Sequence, residues 1–135
     1  MVRSGGGCIV NTASVQALAT TGQVSAYAAA KAGILGLTRD MARDLGRHNI
    51  RVNGICPGCI DTPMMDRSLA RVPDRESVLR QMAGAIPLQR LGTSGDIANV
   101  ILFLASPYAG YVTGAAILID GGLMTRLPLP GFAEA

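Results

Sequence analysis

Tryptophan is absent from this 135-residue chain, and aromatic residues make up only 4% of it. A core without large rings must be filled by aliphatic side chains and alanine. No apolar stretch reaches membrane-spanning length. The longest candidate, Ile97 to Ala105, is short and is interrupted by Asn99. The first residues carry Arg3 and three glycines before Cys8, without the apolar region of a signal peptide. Three cysteines are an odd number and form no disulfide framework, so a cytoplasmic protein with free thiols is expected. His48 is the only histidine and has no acid cluster beside it, which argues against a metal centre or a catalytic triad. The 12 basic residues give a mild net charge of +3 and are scattered, without the stripe of a nucleic-acid surface. No Gly-x-Gly-x-x-Gly occurs, and Gly5-Gly6-Gly7 precedes an apolar run, where it cannot cradle a pyrophosphate at a helix start. Internal repeats and low-complexity segments are also missing.

What remains is 49% hydrophobic, enough for the core of one domain. Cys8 to Asn11, Ile50 to Cys56 and Ala116 to Ile119 read as short buried strands. Val15 to Val24 has no period and reads as a loop. A helix is expected from Ser25 to about Arg47, with Ile34, Leu37 or Thr38, Met41 and Leu45 on its apolar stripe. Strand, helix and strand within fifty residues make a βαβ unit, hence parallel strands and a right-handed crossover. Two short helices fit Met64 to Arg71 and Asp74 to Gly84. A longer one fits Thr93 to Ser106, capped by Thr93 or Ser94 and stopped by Pro107. The chain from Leu123 onward, with Pro128, Pro130 and Gly131, reads as an extended, frayed tail.

The long helix holds a pair through which chemistry can enter, although Tyr-x-x-x-Lys by itself is a weak pattern that also reads as two unrelated residues on a helix. Six of the nine residues from Ala26 to Ile34 are Ala or Gly, which strongly favours helix. Tyr27 and Lys31 are therefore one turn apart on one face. A free phenol has a pKa near ~10, and a neighbouring cation lowers it toward the range of a general acid or base at neutral pH. Ser14 follows the first strand, at the carboxyl end where open α/β sheets bind ligands. A lone serine there is commonly only a turn or cap residue.

Gly-Gly-Gly-Cys-Ile-Val-Asn-Thr-Ala-Ser, with Ser14 thirteen residues before Tyr27, begins a series of motifs. Tyr27-x-x-x-Lys31, Ile50-Arg-Val-Asn-Gly-Ile-Cys-Pro-Gly-Cys-Ile-Asp-Thr62 and Gly114 to Gly122 complete it. The series resembles the C-terminal half of the classical short-chain dehydrogenase/reductase family, from about Gly5 to Gly122. The resemblance implies a partial Rossmann-like, doubly wound parallel sheet in residues 1–122, lacking the N-terminal cofactor-binding half. By the same resemblance Ser14 binds the substrate oxygen, Tyr27 exchanges a proton, and Lys31 lowers the Tyr27 pKa and holds the nicotinamide ribose. Pro57, Gly58, Ile60 and Thr62 line the nicotinamide end of the cofactor, NAD or NADP. Residues 61–91 form a substrate lid, and the substrate is a small alcohol or carbonyl compound. The helix is expected to add a subunit contact through Ala28, Ala29, Ala32, Gly33 and Gly36, giving a homo-oligomer in the full-length form. The sequence departs from the family in having Ala13 where many members have Ser, and Gln16-Ala17 where many have Ala-Gly.

Cys56-Pro-Gly-Cys59 has redox or zinc spacing, but no second pair completes a zinc site, and the family resemblance explains Pro57-Gly58 without either thiol. Two functions follow. One is an NAD(P)-dependent oxidoreductase, present as its catalytic half and inactive alone. The other is a truncated, non-catalytic interaction protein that keeps the oligomerisation helices.

Overall fold

The three apolar runs become three strands of one sheet, which positions everything else. In the computed structural model, which describes residues 1–125, β1 is Gly7–Thr12, β2 is Ile50–Pro57 and β3 is Ala116–Ile119. The sheet order is β1-β2-β3 and both pairings are parallel. Ile9 pairs with Val52, and Ile55 with Ile117. β2 is central and nearly continuously buried from Val52 to Cys56, as expected of a strand covered on both faces.

The helices are α1 (Ser25–Leu45), α2 (Pro63–Leu69), α3 (Arg75–Ala85) and α4 (Ser94–Ala105). α1 covers one face of β2, and its buried residues are Leu35, Thr38 and Ala42. Ile34, Met41 and Leu45 pack beside them. Thr38, not Leu37, occupies the inward position: Thr38 is fully buried and Leu37 is 53% exposed. The inward hydroxyl is tolerated because it is bonded twice. Thr38 Oγ1 donates to the Ile34 carbonyl at 2.7 Å and accepts from Asn11 Nδ2 at 3.0 Å. On the opposite sheet face, α4 and the turn after it pack Leu104 and Ala109 against Ile55, flanked by Val10, Ile101 and Ile117.

Local chemistry sets the helix ends. Thr93 caps α4 by accepting from the Asp96 N–H, and Asp96 returns a bond to the Thr93 N–H, a complete capping box. Asp74 caps α3 through the Ser77 N–H. Pro63 begins α2, where its missing N–H costs nothing. The loop expected over 15–24 opens with a 3-10 turn at Val15–Ala17. Leu123–Thr125, expected to be extended, instead forms a 3-10 turn because the Asp120 carboxylate accepts from the Gly122 and Met124 N–H groups. The rest of the expected tail, 126–135, lies outside the described residues.

Asn53 is fully buried on β2, and its amide is satisfied within the chain. Its Nδ2 donates to the Val112 carbonyl at 2.9 Å and its Oδ1 accepts from the Ala115 N–H at 3.1 Å. One side chain thus anchors the loop that feeds β3 into the sheet. On the small-residue face of α1, Ala28 and Gly36 are half-buried while its middle is left open among the described residues. Ala29, Ala32 and Gly33 are exposed, and a Cβ on Gly33 would meet nothing within 4 Å. Among the described residues no helix is long and apolar enough to cross a membrane.

Candidate active site

The carboxyl ends of β1 and β2 lie side by side because the strands are parallel and in register, Asn11 opposite Gly54 and Thr12 opposite Ile55. The loops leaving them, together with the first turns of α1, α2 and α4, surround an open cavity of about 680 Å³. Ser14, Tyr27, Lys31, Pro57, Gly58, Ile60 and Thr62 all line it. Every site residue expected from the sequence therefore shares one cavity.

Ser14 is only 7% exposed, and its Oγ accepts from the Gln16 N–H at 3.1 Å. It is thus a cap serine as well as a cavity residue. The cap bond uses an oxygen lone pair and leaves the O–H as a donor. Tyr27 is 42% exposed, so its ring edges into the cavity from the first turn of α1. Lys31 Nζ lies 5.6 Å from the Tyr27 ring centroid and donates to the Thr12 carbonyl at 2.9 Å. That bond ties the ammonium to the strand that delivers Ser14. An ammonium has three N–H donors, so two remain for a ligand.

Gly58 holds the other wall in place. A Cβ there would lie 2.9 Å from the Asp120 Cα and 2.8 Å from its Cβ, so the turns after β2 and β3 touch backbone to backbone. The Gly58 N–H donates to the Ile119 carbonyl at 3.0 Å. Thr62 Oγ1 accepts from the Met65 N–H at 3.4 Å as the cap of α2. The segment 61–85 contains no buried residue. It is pinned at its base, where the Asp61 N–H donates to the Gly92 carbonyl and the Gly92 N–H to the Cys59 carbonyl, both at 2.9 Å.

Sequence reasoning missed Arg67, Ser68, Ser94 and Ile97, which also line the cavity. Ser94 and Ile97 are three residues apart in the first turn of α4, so the capping signal at Thr93 marked which end of that helix faces the site. Arg67 carried no such signal.

The two thiols of the Cys56-x-x-Cys59 pair take different places. Cys56 is buried with Ala13 and Leu35, under the loop that carries Ser14. Cys59 lines a second cavity of about 500 Å³, beside Pro87, Leu88 and Leu118, which shares only Ile60 with the first. Burial raises both thiol pKa values, and a hydrogen bond with the Ser14 backbone partly offsets this at Cys56. No disulfide joins them.

A family model described as enoyl-(acyl carrier protein) reductase matches residues 1–124. The 3-oxoacyl-[acyl-carrier-protein] reductase of Thermotoga maritima is 44% identical over 124 residues, covering 92% of this chain and 48% of that protein. The crystal structure of levodione reductase superposes with a TM-score of 0.89 at 40% identity, over 94% of this chain and 50% of that one. A 7α-hydroxysteroid dehydrogenase, solved with NADH and 7-oxo glycochenodeoxycholic acid, gives a TM-score of 0.79 at 42% identity, over 90% of this chain and 46% of that one. The chain thus spans about half the length of the proteins it matches.

Proposed function

Given that the chain belongs to the short-chain dehydrogenase/reductase family of oxidoreductases, we propose that its cavity is the catalytic half of an NAD(P)-dependent alcohol/carbonyl oxidoreductase site. The carrying observation is that Ser14, Tyr27 and Lys31 line one cavity, with Lys31 bonded to the Thr12 carbonyl and beside the Tyr27 ring.

The donor set suits the nicotinamide end of a dinucleotide. The two free N–H donors of Lys31 and the Tyr27 hydroxyl can bind ribose hydroxyls, and the 57–62 turn offers backbone groups and the Thr62 hydroxyl to a carboxamide. When bound, the nicotinamide supplies or accepts the hydride. The chain's own residues manage the oxygen and its proton. In the reducing direction the Ser14 hydroxyl donates to the substrate carbonyl oxygen and holds it toward Tyr27. The Tyr27 hydroxyl passes its proton to that oxygen as negative charge develops there. The Lys31 ammonium keeps positive charge beside the phenol oxygen while it is deprotonated. In the oxidising direction the same groups act in reverse. The Thr12 carbonyl limits where Lys31 can swing, which fixes the cation relative to the phenol.

Tyr27→Phe tests the reading. The chain is complemented by the N-terminal half of a relative, and NAD(P)H absorbance is followed with simple carbonyl substrates. General acid–base groups contribute roughly 10²–10⁴-fold, so loss on that scale is expected. Full activity across neutral pH in the variant would remove Tyr27 from the proton transfer.

A second reading, a non-catalytic interaction protein, draws support from the exposed Ala29, Ala32, Gly33 and Leu37 on α1. That face suits a subunit contact in either reading, and homo-oligomerisation through it is part of the proposal. Calorimetric titration of the chain complemented by the N-terminal half of a relative, with NAD and NADP, separates the two, since only the first requires the Tyr27 and Lys31 cavity to contribute to dinucleotide binding.

A further inference from the structure

The charges around the site cavity have one sign. Among its described lining residues the ionisable charges are Lys31 and Arg67, and no carboxylate faces it. Lys31 donates to the Thr12 carbonyl beside the Tyr27 ring, and in the proposed reading its remaining donors serve the cofactor ribose. Arg67, in the last turn of α2, is exposed, and no ion pair involves it among the described residues. The neighbouring acid, Asp66, is taken by Arg75 from the start of α3. That pair leaves Arg67 without a counterion among the described residues. The wall around it is largely apolar, from Pro63, Met64, Met65 and Ile97, with the hydroxyls of Ser68 and Ser94 among them. Met64 is largely exposed although it lines the cavity. Methionine adapts its shape to varied apolar groups.

Resting on the proposed oxidoreductase reading, we propose that Arg67 is a specificity-determining residue that receives an oxyanion on the substrate, so that the cavity takes carboxylate-bearing carbonyl or alcohol compounds with a short apolar body. A guanidinium offers five N–H donors in a fork that matches a carboxylate. The methionines and Ile97 cover the carbon chain between the anion and the reacting carbonyl. The reacting oxygen lies at Ser14 and Tyr27, and the charged end at the lid.

The test is binding, which does not depend on turnover. The 135-residue chain is titrated with 3-oxohexanoate and with its methyl ester, following backbone amide NMR shifts around the cavity. An exposed ion pair strengthens binding by up to about fivefold, and this advantage should shrink as salt is raised. The carboxylate should therefore bind about fivefold more tightly than the ester at low ionic strength. Arg67→Met should abolish that preference while leaving ester affinity in place, and Arg67→Lys should keep most of it. Inorganic pyrophosphate, titrated in parallel, separates a substrate carboxylate from a cofactor phosphate. Weakened pyrophosphate binding with an unchanged carboxylate preference in Arg67→Met overturns the assignment. Equal affinity for acid and ester in the wild type, or no saturable shift with either, overturns it as well. A chain that passes but shows no Tyr27-dependent turnover once complemented by the N-terminal half of a relative keeps the anion site and loses the redox reading. The converse pattern loses only the anion site.

Discussion

Replacing Thr38 by Val changes one buried hydroxyl into a methyl of nearly the same size, so the outcome is governed by hydrogen bonds and not by packing volume. Thr38 is fully buried, and its Oγ1 serves as donor to Ile34 and acceptor for Asn11. The Ile34 carbonyl keeps its helical partner within α1, so its loss is small. The Asn11 amide loses its acceptor at a half-buried position, where water compensates in part. A net hydrogen bond is worth about 0.5–1.5 kcal/mol, and an amide left unpaired costs about 1–3 kcal/mol. Burying the extra methyl returns up to about 0.8 kcal/mol. Thr38→Val should therefore destabilise by about 1–2 kcal/mol. Thr38→Ser keeps both bonds and should lose a similar amount by leaving a methyl-sized void, so single variants do not separate the causes. A double-mutant cycle does. Thr38→Val combined with Asn11→Val should show a coupling of about 1 kcal/mol, whereas Thr38→Ser with Asn11→Val should be nearly additive. Urea denaturation followed by circular dichroism, at concentrations where the midpoint is constant, measures each corner. A coupling within about 0.3 kcal/mol of zero for the valine pair would refute the reasoning. The bond matters to the site because Asn11 is on the strand that delivers Ser14, and Thr38 is on the helix that delivers Tyr27 and Lys31.

Three further outcomes are expected. Cys56, fully buried under the Ser14 loop with its thiol pKa raised by burial, should react with iodoacetamide far more slowly at pH 8 than Cys8, and equal rates would contradict its placement. The Asp96 carboxyl is held well below the ordinary carboxylate range, first by its hydrogen bond to the Arg90 guanidinium and then by the Thr93 N–H and hydroxyl. Its folded-state pKa is depressed, so its contribution to stability is present above the unfolded value of about 3.9 and is lost as pH falls through the lower folded value; Asp96→Asn should flatten that acid limb, and an unchanged pH profile of the urea midpoint would argue against it. The isolated chain should self-associate and fail to reduce NAD or NADP with simple alcohols, because the outer edge of β1 presents backbone groups to a further strand; light scattering showing a monomer that turns over would reverse this.

Much of the fold was legible because short apolar runs, one helical stripe and the cap and stop of α4 dominate it. Ile50 to Cys56 reads as a buried strand from its apolar side chains alone, and Thr93 with Asp96 announces the start of α4 through capping chemistry. The site expectation rested on the order of Ser14, Tyr27-x-x-x-Lys31 and Pro57-Gly58, and these residues do converge on one cavity, since parallel strands bring their carboxyl ends together. The roles of those residues remain proposals. What the sequence hid was tertiary. Leu37 and Thr38 both fit an apolar stripe; the phase shared with Leu35 and Ala42 turns the threonine inward, and the Asn11 amide and Ile34 carbonyl satisfy its hydroxyl. The same limit applied to Arg67, whose significance comes from Asp66 being claimed by Arg75 nine residues on. It applied again at Leu123–Thr125, where the carboxylate of Asp120 gathers amides that composition alone would leave extended.

The stretch between Ile60 and Gly92 leaves and rejoins the sheet at nearly one point, because a strand-like bridge joins those two residues. Within it residues 61–85 include none that is buried, whereas Ile86 belongs to the core. Loop-closure entropy grows only slowly with length, by about 0.6 kcal/mol per doubling. Such a segment behaves as an exchangeable cassette. Grafting only residues 61–85 of a relative, with Ile86 to Leu91 kept, would replace Met64, Met65 and Arg67 at once while leaving Ser14, Tyr27 and Lys31 on their own supports. Changes to this wall of the cavity are thereby decoupled from the residues that form the core.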